Sequence, residues 1–191
     1  MERQNPWIQK KGYVMGRILR VYTDGSASPN PGKGAYSYVV LDEKNTILRK
    51  YSMAFTTTTN NRMELRPLIA FLQWAQTDPI PLGKVSSYEK IIITSDSQYL
   101  ILGVQGRMIK WKANGWNNTS GKVVNLDLWK KIDKLLYNFH NLEFKLVKGH
   151  SGDQFNDMVD KIAVHERITN PDPCIDLEYT NSLKTKQLNM F

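Results

Sequence analysis

Three short stretches rich in β-branched and aromatic residues follow one another from Ile18 to Thr23, from Ala35 to Leu41 and from Ile47 to Ala54. Such runs predict strands, and with Asp42 to Thr46 as the turn between the last two they predict an antiparallel meander. The period then changes. Leu65, Leu68, Ile69, Leu72 and Ala75 recur at helical spacing, and Thr59 or Asn60 is placed to cap the helix they define. Pro67 falls inside it, where loss of a backbone donor predicts a kink. Beyond the turn-rich stretch from Thr77 to Gly83, Ile91 to Asp96 reads as a strand and Ser97 to about Trp111 as a helix. The segment from Ala113 to Gly121 carries several glycines. Asn125 is placed to cap a further helix with an apolar stripe of Leu126, Trp129, Ile132, Leu136 and Phe139. Leu142 to Val147 alternates as a half-buried strand, and Asn156 to Ile168 closes the series as a helix. Strands first, then alternating helices and strands, predict an α/β fold, a mixed sheet with helices on its faces. Residues 1–17 read as a polar N-terminal arm and 18–168 as the folded domain. Residues 169–191, with Pro171, Pro173 and a polar run to Lys186, read as a loosely packed C-terminal tail.

Size agrees with one core, since 191 residues at 41% hydrophobic content suffice for a single domain and hardly for two. Charge narrows the partners. Lys and Arg number 26 against 18 Asp and Glu, and a net charge of +8 suits a polyanion, with nucleic acid the natural candidate. The single cysteine, Cys174, has no internal partner, the first sixteen residues lack an apolar secretory centre, and no apolar run reaches the roughly 20 residues of a membrane span. These features lead us to expect a soluble, monomeric, cytoplasmic protein.

Four acids carry the chemistry. Asp24 and Asp96 each end an apolar run, and Glu64 and Asp160 fall near the starts of helical patterns, so one rim of a sheet can gather all four. Two carboxylates about 5 Å apart repel by roughly 3 kcal/mol at an effective dielectric near 20, so a tight cluster requires divalent cations or protons. Hard oxygen donors suit Mg2+ or Mn2+, and no cysteine pair offers a zinc site. Asp153 and Asp157 are rivals of Asp160 for the fourth place. His150, in the glycine-bracketed stretch Val147-Lys-Gly-His-Ser-Gly152, is placed to move protons, whereas His140 and His165 read as surface residues.

Five ordered blocks, Thr23-Asp-Gly-Ser26, Asn30-Pro-Gly-Lys-Gly34, Thr57-Thr-Thr-Asn-Asn-Arg-Met-Glu-Leu65, Thr94-Ser-Asp-Ser-Gln-Tyr99 and Val147 to Gly152 followed by Asn156 and Asp160, resemble type I ribonuclease H over about residues 18–166. The resemblance implies the ribonuclease H-like fold, a five-stranded mixed sheet flanked by helices on both faces, and an enzyme that hydrolyses the RNA strand of RNA/DNA hybrids with two metal ions. It implies Asp24, Glu64, Asp96 and Asp160 as metal ligands and His150 as a mobile catalytic histidine. Asn30, Asn60, Asn61 and Gln98 then correspond to minor-groove contacts, and Thr59 and Asn125 to a pocket for a DNA-strand phosphate. Gly25 and Ser26 beside Asp24 would let backbone groups approach the strand to be cut, which the 2′-OH distinguishes. Nine basic residues against three acids between Arg107 and Lys148, with Trp111 and Trp116 among them, resemble the family's basic protrusion. The tryptophans read first as core anchors.

Gln187, Leu188, Met190 and Phe191 resemble the short peptide by which bacterial replication and repair proteins bind the sliding clamp, with Met190 in place of Leu. Two rivals stay open at this point: a hybrid-binding module without catalysis, and a DNA strand transferase of the same fold.

Overall fold

The computed structural model describes residues 16–77, 85 and 88–188, so most of the N-terminal arm and the end of the clamp-like peptide, residues 189–191, lie outside the described residues. The chain runs β1 (Ile18–Ala27), β2 (Gly32–Leu41), β3 (Ile47–Thr58), α1 (Asn60–Thr77), β4 (Lys90–Ser95), α2 (Gln98–Leu102), a π-helical turn (Gly103–Arg107), α3 (Met108–Ala113), a small hairpin of β5 (Asn117–Asn118) and β6 (Gly121–Lys122), α4 (Leu126–Leu136), β7 (Leu142–Leu146), α5 (Gln154–Thr169) and α6 (Leu177–Leu188). The main sheet has the order β3-β2-β1-β4-β7. Its first three strands form the expected antiparallel meander, and β4 and β7 add in parallel.

Alternation along the strands divides the core between the two faces. Leu19, Val21, Tyr38, Val40, Ile91 and Ile93 pack in one cluster with Leu65, Leu68, Phe71 and Leu72 of α1 and Trp129 and Ile132 of α4. Tyr22, Val39 and Leu41 point the other way and meet Phe155, Met158, Val159 and Ile162 of α5. The mixed sheet with helices on both faces is therefore found as expected. No described helix is long and apolar enough to cross a membrane.

Departures from the expected elements have local causes. The α1 helix continues through Pro67. Proline has no N–H for the carbonyl four residues back, that of Met63. The backbone of Gly25 packs against this carbonyl so closely that a Cβ on Gly25 would overlap it. The helix expected over Ser97 to Trp111 is interrupted by the π-helical turn, where Gly103 lies under the Trp129 ring with no room for a Cβ. Asn125 precedes α4 but does not cap it by its side chain. It takes a left-handed conformation (φ 58°) and its amide donates to Tyr99 Oη at 3.3 Å. The stretch expected to be loose beyond Thr169 is docked: Cys174 exchanges backbone hydrogen bonds with Ala54 and Thr56 of β3, and Asp176 is fully buried. Trp111 packs edge-on against Trp129 with ring centroids 5.2 Å apart, and Trp116 is packed against the same cluster, so both are core anchors.

Candidate active site

Asp24 does not end its strand, as the sequence pattern predicts, because β1 runs on to Ala27. Its parallel pairing with β4, however, stops at Tyr22 opposite Thr94, and Asp24 stands where the two strands part. Asp96 follows the last residue of β4, so both acids occupy the carboxyl-end rim of neighbouring parallel strands, the place where α/β sheets bind ligands. Glu64 comes from the second turn of α1 and Asp160 from the middle of α5.

Neighbours fix each of these acids in place. Ser37 lies directly across the ladder from Asp24, hence on the same face, and its hydroxyl donates to the Val159 carbonyl at 2.6 Å, pinning α5 one residue before Asp160. Gly25 brings β1 against the Met63 carbonyl, one residue before Glu64. Ser97 caps α2 by accepting from the Leu100 N–H, and its hydroxyl donates to Glu64 Oε2. Asn156 donates from Nδ2 to Asp96 Oδ2 at 3.1 Å, and Gly149 leaves no room for a Cβ beside the same oxygen. Ser37, Ser97 and Asn156 are buried. None of the three is singled out as a site residue by sequence. Two signals were available: Ser97 stands before Leu100 and Ile101 as a helix cap, and Asn156 belongs to the last of the resembling blocks.

Electrostatics ties the quartet together. Burial pushes Asp24 up to about 7, with the negative charges of Asp96, Asp160 and Glu64 adding to the rise and a backbone hydrogen bond at Gly25 opposing it. Glu64 is also raised, by burial first, against the Ser97 hydrogen bond and with help from Asp96. Asp24 thus senses all three partners. Among the described residues no three His, Cys, Asp or Glu side chains form a group that could hold one ion as they stand. Carboxylates repel until a cation or proton lies between them. The donor set still fits a hard divalent cation: four carboxylates, and beside them the buried Asn156 Oδ1, which has no hydrogen-bond partner. Asp153 is engaged elsewhere, capping α5 through the N–H groups of Phe155 and Asn156.

The remaining sequence candidates surround this rim. Asn60 Oδ1 accepts from the Ala27 N–H at 2.6 Å, while the Asn60 N–H donates to Asn30 Oδ1 at 3.2 Å, locking the β1–β2 turn to the start of α1. Thr59 Oγ1 accepts from the Arg62 N–H, Asn61 and Gln98 are exposed, and the Ser26 hydroxyl is buried without a partner. His150 is exposed in a left-handed conformation (φ 52°), one residue from the glycine that touches Asp96. His140 and His165 are exposed and apart from the acids' partners.

The fold is thus a mixed α/β sheet of order β3-β2-β1-β4-β7 with Asp24 and Asp96 on the carboxyl-end rim of its parallel strands. The RNase H family profile matches residues 17–168. The ribonuclease H of Idiomarina loihiensis is 38% identical over 148 residues, covering 77% of this chain and 86% of that protein. The ribonuclease HI of Shewanella oneidensis is 37% identical over 156 residues, covering 81% and 90%. Among solved structures, LC9-RNase H1, a type 1 enzyme described as having the type 2 active-site motif, has a TM-score of 0.64 at 25% identity, with 80% of this chain and 73% of that one covered. LC11-RNase H1 in complex with an RNA/DNA hybrid shares the fold with a TM-score of 0.58 at 23% identity, covering 75% and 94%. The chain belongs to the RNase H family, whose members degrade the RNA of RNA/DNA hybrids.

Proposed function

We propose that this chain is an endonuclease that hydrolyses the RNA strand of RNA/DNA hybrids with two Mg2+ or Mn2+ ions, leaving 5′-phosphate ends, and that it serves cytoplasmic DNA replication and repair by removing RNA primers and R-loops. The observation that carries this reading is the placement of Asp24 and Asp96 on one rim of neighbouring parallel strands, with Glu64 held there by the Ser97 hydroxyl and Asp96 by Asn156, and the raised pKa of Asp24 supports it. Asp24, Glu64, Asp96 and Asp160 would hold the ions. When bound, such ions supply positive charge to a phosphate and make a water acidic enough to attack it.

The chain's own groups do the rest. Ser97 and Asn156 orient Glu64 and Asp96 through the hydrogen bonds they donate, so these carboxylates do not reorganise as the substrate arrives. With Asn60 Oδ1 engaged by Ala27, its amide donor, together with exposed Asn61, Asn30 and Gln98, faces a minor groove and reads it. Thr59 and Asn125, at the starts of α1 and α4, bind a phosphate of the DNA strand, and Gly25 and Ser26 approach the RNA strand. His150 carries a proton between the reacting oxygens and solvent from its exposed loop.

The test is cleavage of an RNA/DNA hybrid, a double-stranded RNA and a double-stranded DNA, each with Mg2+ and with EDTA. Cutting of the hybrid's RNA strand alone, with Mg2+ alone, is expected. Binding without cutting would mark a recognition module, and joining of DNA strands would mark a transferase. His150→Ala is expected to slow single-turnover cleavage by about 10²- to 10⁴-fold and leave a measurable rate, the usual contribution of a positioned acid or base.

A clamp-binding role for Gln187, Leu188, Met190 and Phe191 belongs to the same reading. Leu188 is 78% exposed at the end of α6, where an apolar anchor is available to a groove. Deleting residues 187–191 is expected to abolish pull-down by the replication sliding clamp and to leave hydrolysis of a free hybrid unchanged.

A further inference from the structure

Arg62 joins three parts of the molecule that are far apart in sequence. Its guanidinium grips Asp127 of α4 with two hydrogen bonds of 3.0 and 2.8 Å, and it grips Asp176, ahead of α6, with two more of 2.7 and 2.8 Å. The Arg62 side chain is 3% exposed and that of Asp176 is 0% exposed, so this is an interior network and not a surface pair. Asp176 also takes the Thr58 hydroxyl at 2.9 Å and Arg66 at 2.6 Å, and it caps α6 by accepting from the Tyr179 N–H. Every acceptor oxygen of Asp176 is engaged. Burial would raise its pKa, but the Arg62 hydrogen bonds and the two arginine charges overcome this and hold it below the ordinary carboxylate value.

The positions joined are informative. Arg62 lies directly after Thr59, Asn60 and Asn61 at the start of α1, and Asp127 lies two residues after Asn125 at the start of α4. The Arg62–Asp127 fork therefore sets the distance between the two helix starts to which hybrid contacts are assigned above. A fork of two parallel hydrogen bonds fixes direction as well as separation. Asp176 holds the other edge of the same guanidinium and comes from outside residues 17–168, the span the family profile matches.

We propose that the docked segment around Cys174 and Asp176 is a strut that sets the spacing of the α1 and α4 starts, and that Asp176 is a positioning residue for grip on the hybrid. It touches no reacting atom. This rests on the proposed hybrid hydrolysis. Its effect falls on substrate affinity and leaves the chemical step alone, because the acids on the rim are fixed by Ser37, Ser97 and Asn156 and not by Arg62.

The experiment measures kcat and KM on a hybrid at a temperature where circular dichroism shows each protein folded, for wild type, Asp176→Asn, Asp127→Asn and Arg62→Lys. Asp127 is 31% exposed, so its variant breaks the same fork with less risk to folding. The expected result is a KM about tenfold higher in Asp176→Asn and Asp127→Asn, with kcat and its pH profile unchanged, and a higher KM also in Arg62→Lys, which keeps the charge and loses the fork. Lower melting temperature with unchanged KM, or a fall in kcat at constant KM, would overturn the inference. Failure of wild type to cut the hybrid would remove the underlying reading and the strut's role with it.

Discussion

Asp24→Asn is expected to leave almost no hybrid cleavage, a larger loss than that of His150→Ala, and, in EDTA at pH 8, to melt about 2–12 °C higher than wild type. The activity loss follows from removing the acid at the centre of the cluster, since even groups that only orient metal ligands typically contribute 10- to 100-fold. The stability gain follows from linkage. Asp24 titrates near 7 when folded and near its ordinary 3.8 when unfolded, so between those values the folded chain binds more protons. Stability therefore falls as pH rises through this window, and the full penalty, on the order of 4 kcal/mol as an upper bound, is present above pH 7. Asparagine keeps the shape and removes the charge. Part of the penalty is relieved by side-chain relaxation and counter-ions, so about 1–3 kcal/mol is expected, which a chain of this size converts to the stated shift. Thermal scans from pH 5 to 8 measure it, and the gap between variant and wild type is expected to widen with pH. A variant that melts lower at pH 8 would mean that Asp24 is not crowded.

Arg62→Ala is expected to cost about 3–5 kcal/mol at pH 7, because it leaves the fully buried Asp176 without the partner that supplies two of its hydrogen bonds. Arg66 and Thr58 remain and keep the loss from being larger. The pH dependence has the opposite sense to that of Asp24. Asp176 is held below its ordinary 3.8, so the stability it contributes is present above that value and is lost as pH falls through its lower folded value. The difference between Arg62→Ala and wild type should therefore shrink in acid, below about pH 4. Urea melts at pH 7 and pH 3 report both values. Equal differences at the two pH values would show that the arginine acts through packing and not through its bonds to the acid.

Much of this was legible in the sequence, for reasons that differ by element. Strands β1, β2 and β4 show in runs of Val, Ile and Tyr because each is buried between its neighbours, the edge strand β3 shows in a weaker run, and α1 and α4 show in stripes because only one face of each is covered. What escaped was whatever depends on a partner distant in sequence. Pro67 signals a kink when read alone. The backbone of Gly25, 42 positions away, is what packs against the carbonyl it leaves open. A single acid in a polar tail signals little, and Asp176 has meaning only beside Arg62, 114 positions earlier. The four acids, by contrast, each lie in a short block that stands out in the sequence, although Asp160 falls in the middle of α5 and not at a helix start, and Asp24 lies inside β1 and not at its end. The bonds that support them do not show: Ser97 and Asn156 lie in the resembling blocks and Ser37 in none, yet the single hydrogen bonds through which they act have no period.

The claim on which the rest turns is that the four carboxylates are gathered for divalent cations. Thermal melting of wild type at pH 8 with increasing Mg2+ tests it without any substrate. Binding to the folded state at ten times the dissociation constant stabilises by about 1.4 kcal/mol, so a rise of roughly 3–6 °C is expected in wild type and little or none in Asp24→Asn. A wild-type melting temperature that does not respond to Mg2+ or Mn2+, or an equal response in the variant, would contradict it.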